Sequence, residues 1–257
     1  MTNLHVEQHG RDSNASTVVL LSSISTTHDA WANQIPALSG DHRVITVDHR
    51  GHGGSDTPDV QPGTATVEQL AGDILAALDG AGVERFQVVG LSLGGAFAQW
   101  IAAHTDRVDK AVFACTATYL GGDEKWSERT RIARTQGMEA MADGFLENWF
   151  TQDFRDANPE TIKQVRDMVR SIDAEGYAQN GDALAKWDFT SELGKIMCPV
   201  LTIAGADDPA TPPEELAVIA GGVAGPVESV VIEPGSHQLA IERPEEFNQV
   251  LTRFLRD

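Results

Sequence analysis

A serine hydroxyl attacks a carbonyl at neutral pH only when a base takes its proton, and that base needs a carboxylate to hold its ring. The stretch Gly90-Leu91-Ser92-Leu93-Gly94 offers such a serine. A short apolar run, Arg85-Phe86-Gln87-Val88-Val89, precedes it, and small residues dominate positions 94–103 after it. Buried strand followed by tightly packed helix forces a sharp turn at Ser92. The turn lifts the hydroxyl above the strand ends and aims the helix N-terminus at it. The flanking glycines leave room where a Cβ would clash. Alone, G-x-S-x-G is a glycine-rich turn; with strand and helix around it, Ser92 is a candidate nucleophile.

Two histidines lie beyond Ser92, His104 and His237. His104 stands twelve positions along the same helix, which at about 1.5 Å per residue is roughly 18 Å, out of reach. His237 follows the last strand-like run, at the strand ends where the loops of a parallel sheet build sites, and is the candidate base. The carboxylate must come from the loop after residues 199–204, where Asp207 and Asp208 both stand. A tetrahedral intermediate also needs two backbone donors. The Leu93 N–H, at the head of the helix, is one. The second must come from the loop after Leu21, which reads Ser22-Ser23-Ile24-Ser25-Thr26-Thr27.

Positioning these groups requires an alternating framework. Residues 4–9 alternate weakly, as an edge strand would. Residues 17–21, 44–48, 85–89 and 108–115 are short β-branched or apolar runs suited to strands buried on both faces. Residues 11–16 read as a polar turn, and residues 31–38 as a short helix. Thr66 and Gln69 form a capping-box pattern ahead of Val67, Leu70, Ala71, Ile74, Leu75 and Leu78, which share one helical face. Strand, helix, strand, helix implies a parallel sheet with right-handed crossovers.

The strand signal vanishes at residues 116–193. Met138, Met141, Ala142, Phe145, Trp149 and Phe150 make one helical stripe, and Ile162, Val165, Met168, Val169 and Ile172 a second, begun by Asn158-Pro159. Residues 176–187 suit a third helix. Alternation then resumes with strands at 199–204 and 227–232 and helices at 212–220 and 243–255. The chain therefore reads as one core, residues 1–115 and 194–257, with a helical lid at 116–193.

The 257 residues carry a formal net charge of −19. Such a field repels nucleic acid and anionic membranes, so neither is an expected partner. No apolar run is long enough to span a bilayer and the N-terminus lacks an apolar signal core, which points to the cytoplasm. Cys115 and Cys198 have no C-x-x-C spacing; two buried, reduced thiols are expected, and no metal cluster is visible. Arg50 and His52, in Arg50-Gly51-His52-Gly53, read as structural loop residues.

Five stretches carry a resemblance: Asp48-His49-Arg50-Gly51-His52-Gly53-Gly54-Ser55, the turn at Ser92, Trp126-Ser127-Glu128-Arg129, Glu147-Asn148-Trp149-Phe150-Thr151, and residues 204–213. Through them the chain resembles the α/β hydrolases and, along nearly its whole length, is similar to 3-oxoadipate enol-lactonases. Two stretches depart from that pattern: Ser22-Ser23-Ile24-Ser25-Thr26 replaces Asn-Ser-Leu-Gly-Thr, and Gln238-Leu239-Ala240 replaces a Ser-Asn pair after the histidine. The resemblance implies an α/β-hydrolase fold, a mostly parallel sheet with helices on both faces, with the lid inserted after the strand ending near Cys115. It selects Asp208 as the carboxylate, leaving Asp207 to solvent, and the Ile24 N–H as second oxyanion donor. It implies an acyl-enzyme on Ser92, no cofactor and no metal, and a small anionic lactone as partner in aromatic-compound catabolism. It suggests Arg129 or Arg134 for the substrate carboxylate and Trp126 and Trp149 for the pocket walls, while Lys125 and Arg131 read as solvated charges. Other triad hydrolases of esters or carbon–carbon bonds, cofactor-free peroxidase-like relatives, and a ligand-binding protein on this fold remain as alternatives.

Overall fold

The computed structural model describes residues 2–11 and 15–256. The turn expected at residues 11–16 lies largely outside them. Seven strands, β1 (Val6–Gly10), β2 (Thr17–Leu21), β3 (Arg43–Val47), β4 (Phe86–Leu91), β5 (Val108–Ala114), β6 (Val200–Gly205) and β7 (Val227–Ile232), form one sheet in the order β1-β3-β2-β4-β5-β6-β7. Only β1 runs antiparallel, against β3; every other pairing is parallel.

Strands β2, β3, β4 and β6 are buried at every position, as their β-branched runs require. Their side chains alternate between two apolar layers. Val19, Leu21, Val88 and Phe113 face one layer, and Val18, Leu20, Val89 and Val112 the other. Helices α2 (Val67–Gly80), α3 (Leu93–His104) and α9 (Pro213–Gly222) cover the first. Helices α1 (Gln34–Ser39), α10 (Leu239–Glu242) and α11 (Pro244–Arg256) cover the second. Thr66 caps α2 reciprocally with Gln69.

Between β5 and β6 stand α4 (Gly122–Gln136), α5 (Glu139–Trp149), α6 (Gln152–Ala157), α7 (Pro159–Ser171) and α8 (Ala174–Ala185). Helix α8 is fixed to the core. A Cβ on Gly176 would stand 2.4 Å from the Gly51 Cα, so only glycine lets the two backbones touch. Around that contact Asp173 N donates to Gly51 O (2.9 Å), Asn180 Nδ2 to Arg50 O (3.1 Å) and Gln179 Nε2 to Pro58 O (2.8 Å).

Two local readings are corrected, the helix at 31–38 and the burial of Cys198. The helix expected at 31–38 is a 3-10 turn, His28–Trp31, followed by α1, because Thr27 caps the chain earlier through Asp29 N. Short α6 and α10 carry too few residues for a periodic signal. Cys115 is buried but Cys198 is only half-buried; both are free thiols. Among the described residues no helix is long and apolar enough to cross a membrane.

Candidate active site

Ser92 occupies the step from β4 to α3 with φ 56° and ψ −113°, a left-handed backbone that L-residues adopt only under constraint. Glycines make the constraint tolerable. A Cβ on Gly90 would lie 2.1 Å from Gly94 O, and one on Gly94 2.0 Å from Leu21 O. The carbonyl of Ser92 is held by Thr116 Oγ1 at 2.8 Å. Leu93 is the first residue of α3, so its N–H belongs to the first turn, which has no intrahelical acceptor.

His237 follows β7 and is nearly buried, 4 % exposed. Its Nδ1 lies 2.8 Å from Asp208 Oδ2. Asp208, after β6, accepts three further bonds: Thr211 Oγ1 at 2.7 Å, Thr211 N at 3.0 Å and Ala210 N at 2.8 Å. Burial alone would raise the Asp208 carboxyl. The charge and hydrogen bond of His237, with the Thr211 donors, outweigh it and hold the group below the usual carboxylate range. Asp208 thus stays ionised and fixes Nδ1 as the protonated nitrogen, leaving Nε2 free to accept. Asp207 is exposed, but it is tied down too: Gly235 N donates to its Oδ2 at 3.0 Å, which shapes the turn before His237.

The loop bearing Ile24 is clamped on both sides by buried histidines. His49 Nε2 lies 2.8 Å from Ser22 O, and Ser25 N donates to His52 Nε2 at 3.0 Å. His52 Nδ1 lies 2.8 Å from Arg50 O, which makes Nδ1 the donor and Nε2 the acceptor. Arg50 pairs with Asp73 at 2.5 Å. His52 therefore braces the loop bearing Ile24, while Arg50 ties its own loop to α2.

One cavity of about 240 Å³ brings together Ser92, His237, Ile24, Trp126, Arg129 and Trp149. Lys125 lines it as well, against the expectation of a solvated charge. Burial, then the neighbouring Arg129, push the Lys125 amine below its ordinary range. The Arg129 guanidinium lies 5.3 Å from the Trp126 ring centre and 5.9 Å from that of Phe145. Arg134 does not reach the cavity. It is paired with Glu175 and Asp182 of α8, each at 2.7 Å, so its charge is already neutralised. A second, larger cavity of about 950 Å³ opens between residues 27–33 and α7, and neither Ser92 nor His237 lines it.

Sequence reasoning missed Thr211, whose donors orient Asp208, and Glu242, buried on α10. Glu242 accepts from Ser236 N at 2.7 Å, Thr151 N at 2.9 Å and Thr151 Oγ1 at 2.5 Å. Gln238 N donates to Trp149 O at 3.0 Å. The loop bearing His237 is thus tied to the end of α5, which walls the cavity. No local spacing signals a carboxylate that acts across 91 positions.

The α/β hydrolase fold family matches residues 16–244, most of the chain. This chain belongs to the α/β hydrolase family. Along 240 residues the hydrolase is 31% identical to 3-oxoadipate enol-lactonase 2 of Acinetobacter baylyi, covering 93% of this chain and 88% of that one. It is 28% identical to the protein named putative carbamate hydrolase RutD of Rhizobium rhizogenes, over 98% of both chains. The crystal structure of the enol-lactonase from Burkholderia xenovorans superposes on the hydrolase with a TM-score of 0.95 at 37% identity, over 100% of this chain and 97% of that one.

Proposed function

We propose that this hydrolase opens a small anionic lactone, of the 3-oxoadipate enol-lactone type, through an acyl-enzyme on Ser92. One observation carries the reading: the cavity that joins Ser92 and His237 also presents Lys125 and Arg129. Neither cation has a carboxylate within 4.0 Å among the described residues, in a protein whose net charge is −19. Unspent positive charge beside a nucleophile suits a substrate that brings its own carboxylate. The enol-lactonase relatives support the same substrate class.

Ser92 attacks the lactone carbonyl while His237 Nε2 takes its proton and Asp208 steadies the imidazolium. The N–H groups of Leu93 and Ile24 receive the developing oxyanion. The ring opens with an enolate as leaving group, and His237 returns the proton to it. The freed enol becomes a ketone, which drives the step forward. Water, deprotonated by His237, then releases the acid from Ser92. Trp126 and Trp149 wall the ring. The test is loss of enol-lactone absorbance on mixing with purified protein. Turnover of simple neutral esters or of carbamates, with none of the lactone, would replace this substrate class and keep the nucleophile.

A further inference from the structure

Two histidines and two carboxylates converge at the edge of the sheet, away from Ser92. His5 precedes β1, His28 opens the 3-10 turn after the Ile24 loop, and Asp48 follows β3. The Nδ1 atoms of His5 and His28 lie 3.0 and 2.9 Å from one oxygen, Asp48 Oδ2. One donor atom from each residue falls within 4.8 Å of the others. The Asp48 side chain is fully buried, whereas the two rings are partly open to solvent. His28 N also donates to Asp48 Oδ1 at 2.7 Å, fixing the carboxylate plane. Backbone closes over the group: a Cβ at Gly53 would stand 2.0 Å from Asp48 Oδ2.

The outer faces of the rings pose a donor-counting problem. His5 Nε2 and His28 Nε2 lie 3.7 and 3.5 Å from the same oxygen, Glu7 Oε1. A neutral imidazole has one N–H. If each ring gives it to Asp48, each turns a lone pair toward Glu7, acceptor against acceptor. A cation bound on the inner side is one way to resolve the conflict. Both Nδ1 lone pairs and Asp48 Oδ2 then become ligands, and both Nε2–H groups point to Glu7. That is the carboxylate–histidine–metal pattern in which an outer carboxylate fixes tautomer and ring angle.

We propose that His5, His28 and Asp48 bind a divalent transition cation of the zinc class, with Glu7 orienting both rings. Two imidazoles and one carboxylate favour such a cation over magnesium or calcium, which take mainly oxygen ligands. A fourth position would hold water, and His28 opens on the 950 Å³ cavity, which supplies a route in. None of the three ligands lines the Ser92 cavity. The cation would join the N-terminal segment to the loop that carries Ile24, as a clip rather than a reagent. The residues stand 23 and 20 positions apart, so no ligand spacing shows in the sequence.

The test uses the full-length protein after dialysis against a chelator. Cobalt(II) is titrated and followed by visible absorption, zinc is then added in competition, and zinc binding is measured separately by calorimetry. One equivalent is expected, with a tetrahedral cobalt spectrum. Binding should vanish in His28→Gln and in His5→Gln, the latter on the segment ahead of β1 where refolding risk is small. Glu7→Gln should weaken it about 10- to 100-fold. Circular dichroism confirms that each variant is folded. Absence of saturable binding, or binding of unchanged affinity in a folded His5→Gln or His28→Gln protein, overturns the proposal and leaves the cluster as two histidines hydrogen-bonded to Asp48.

Discussion

At the residue scale, the two aspartates after β6 separate structure from chemistry. Asp208 touches His237, whereas the Asp207 carboxylate accepts from the backbone of the next loop. Asp208→Asn should lower kcat by about four orders of magnitude through loss of the correct imidazole tautomer. Asp207→Asn should cost no more than about tenfold, since an amide oxygen can still accept from Gly235 N. Steady-state kinetics on one substrate decides, and the reverse order would reassign the carboxylate. Ser92→Ala should remove roughly 10³-fold or more of turnover and leave the melting temperature nearly unchanged. Near-normal activity in that folded variant would rule out the serine mechanism. The turn at Ser92 was legible because its cause is local: strand, glycines and helix are contiguous in the chain. The Asp208–His237 pair was legible only as an order of loops, with Asp207 excluded by resemblance and then by geometry.

At the scale of elements, α4 shows why the lid residues were harder to assign. At about 100° per residue, Lys125 and Arg129 lie about 40° apart on the helix, while Arg134 is rotated about 140° from Arg129. The first two therefore reach the cavity and the third meets α8. Periodicity held this information, but which face of α4 looks inward depends on α8, and that is a tertiary fact. Arg129→Ala should lower kcat/KM for the acid lactone by roughly 10- to 100-fold, the worth of a charge-assisted hydrogen bond of about 1.5–3 kcal/mol. Its neutral methyl ester should lose much less. Lys125→Ala should behave similarly, and Arg134→Ala should lower the melting temperature without altering the preference. Equal losses on both substrates with Arg129→Ala would remove Arg129 as the carboxylate partner. The loop bearing His237 is an element built from a distance. Glu242→Gln keeps the shape but weakens acceptance from Ser236 N and Thr151, so kcat should fall up to about tenfold with KM little changed. A rise in KM alone, read from the same kinetics, would confine Glu242 to shaping the pocket.

At the scale of the molecule, buried histidines set an acid limit on the fold. Burial, then the neighbouring His49, lower the His52 ring to about 4, and burial lowers His49 as well. Between the ordinary value of 6.5 and about 4, the unfolded chain binds a proton at His52 that the folded chain refuses. Stability should therefore fall as pH drops through that window, then level off for this group below it, by about 3 kcal/mol in all. Urea unfolding across that pH range measures the slope, and His52→Gln should flatten it. A slope unchanged in that variant would assign the acid sensitivity to other groups. The global architecture was readable because alternation and burial repeat over seven strands. The 3-10 turn, α6 and α10 were not, since each is shorter than the window in which a period can be counted.

The ties between the end of α5 and the loop of His237 have a bearing on the timing of turnover. Helix α8 is riveted to the core through Gly51 and Gly176, and α4 is tied to α8 by the pairs of Arg134 with Glu175 and Asp182, so any widening of the cavity falls to α5. If α5 swings outward, the bonds from Trp149 O and Thr151 travel with it and draw residues 236–238 along. On the proposed mechanism, His237 would then leave Ser92 whenever that wall stood open. Admission and bond cleavage would become alternating phases of one cycle, and the proposed acyl-enzyme, caught in the open phase, would wait for closure before water could be put to use.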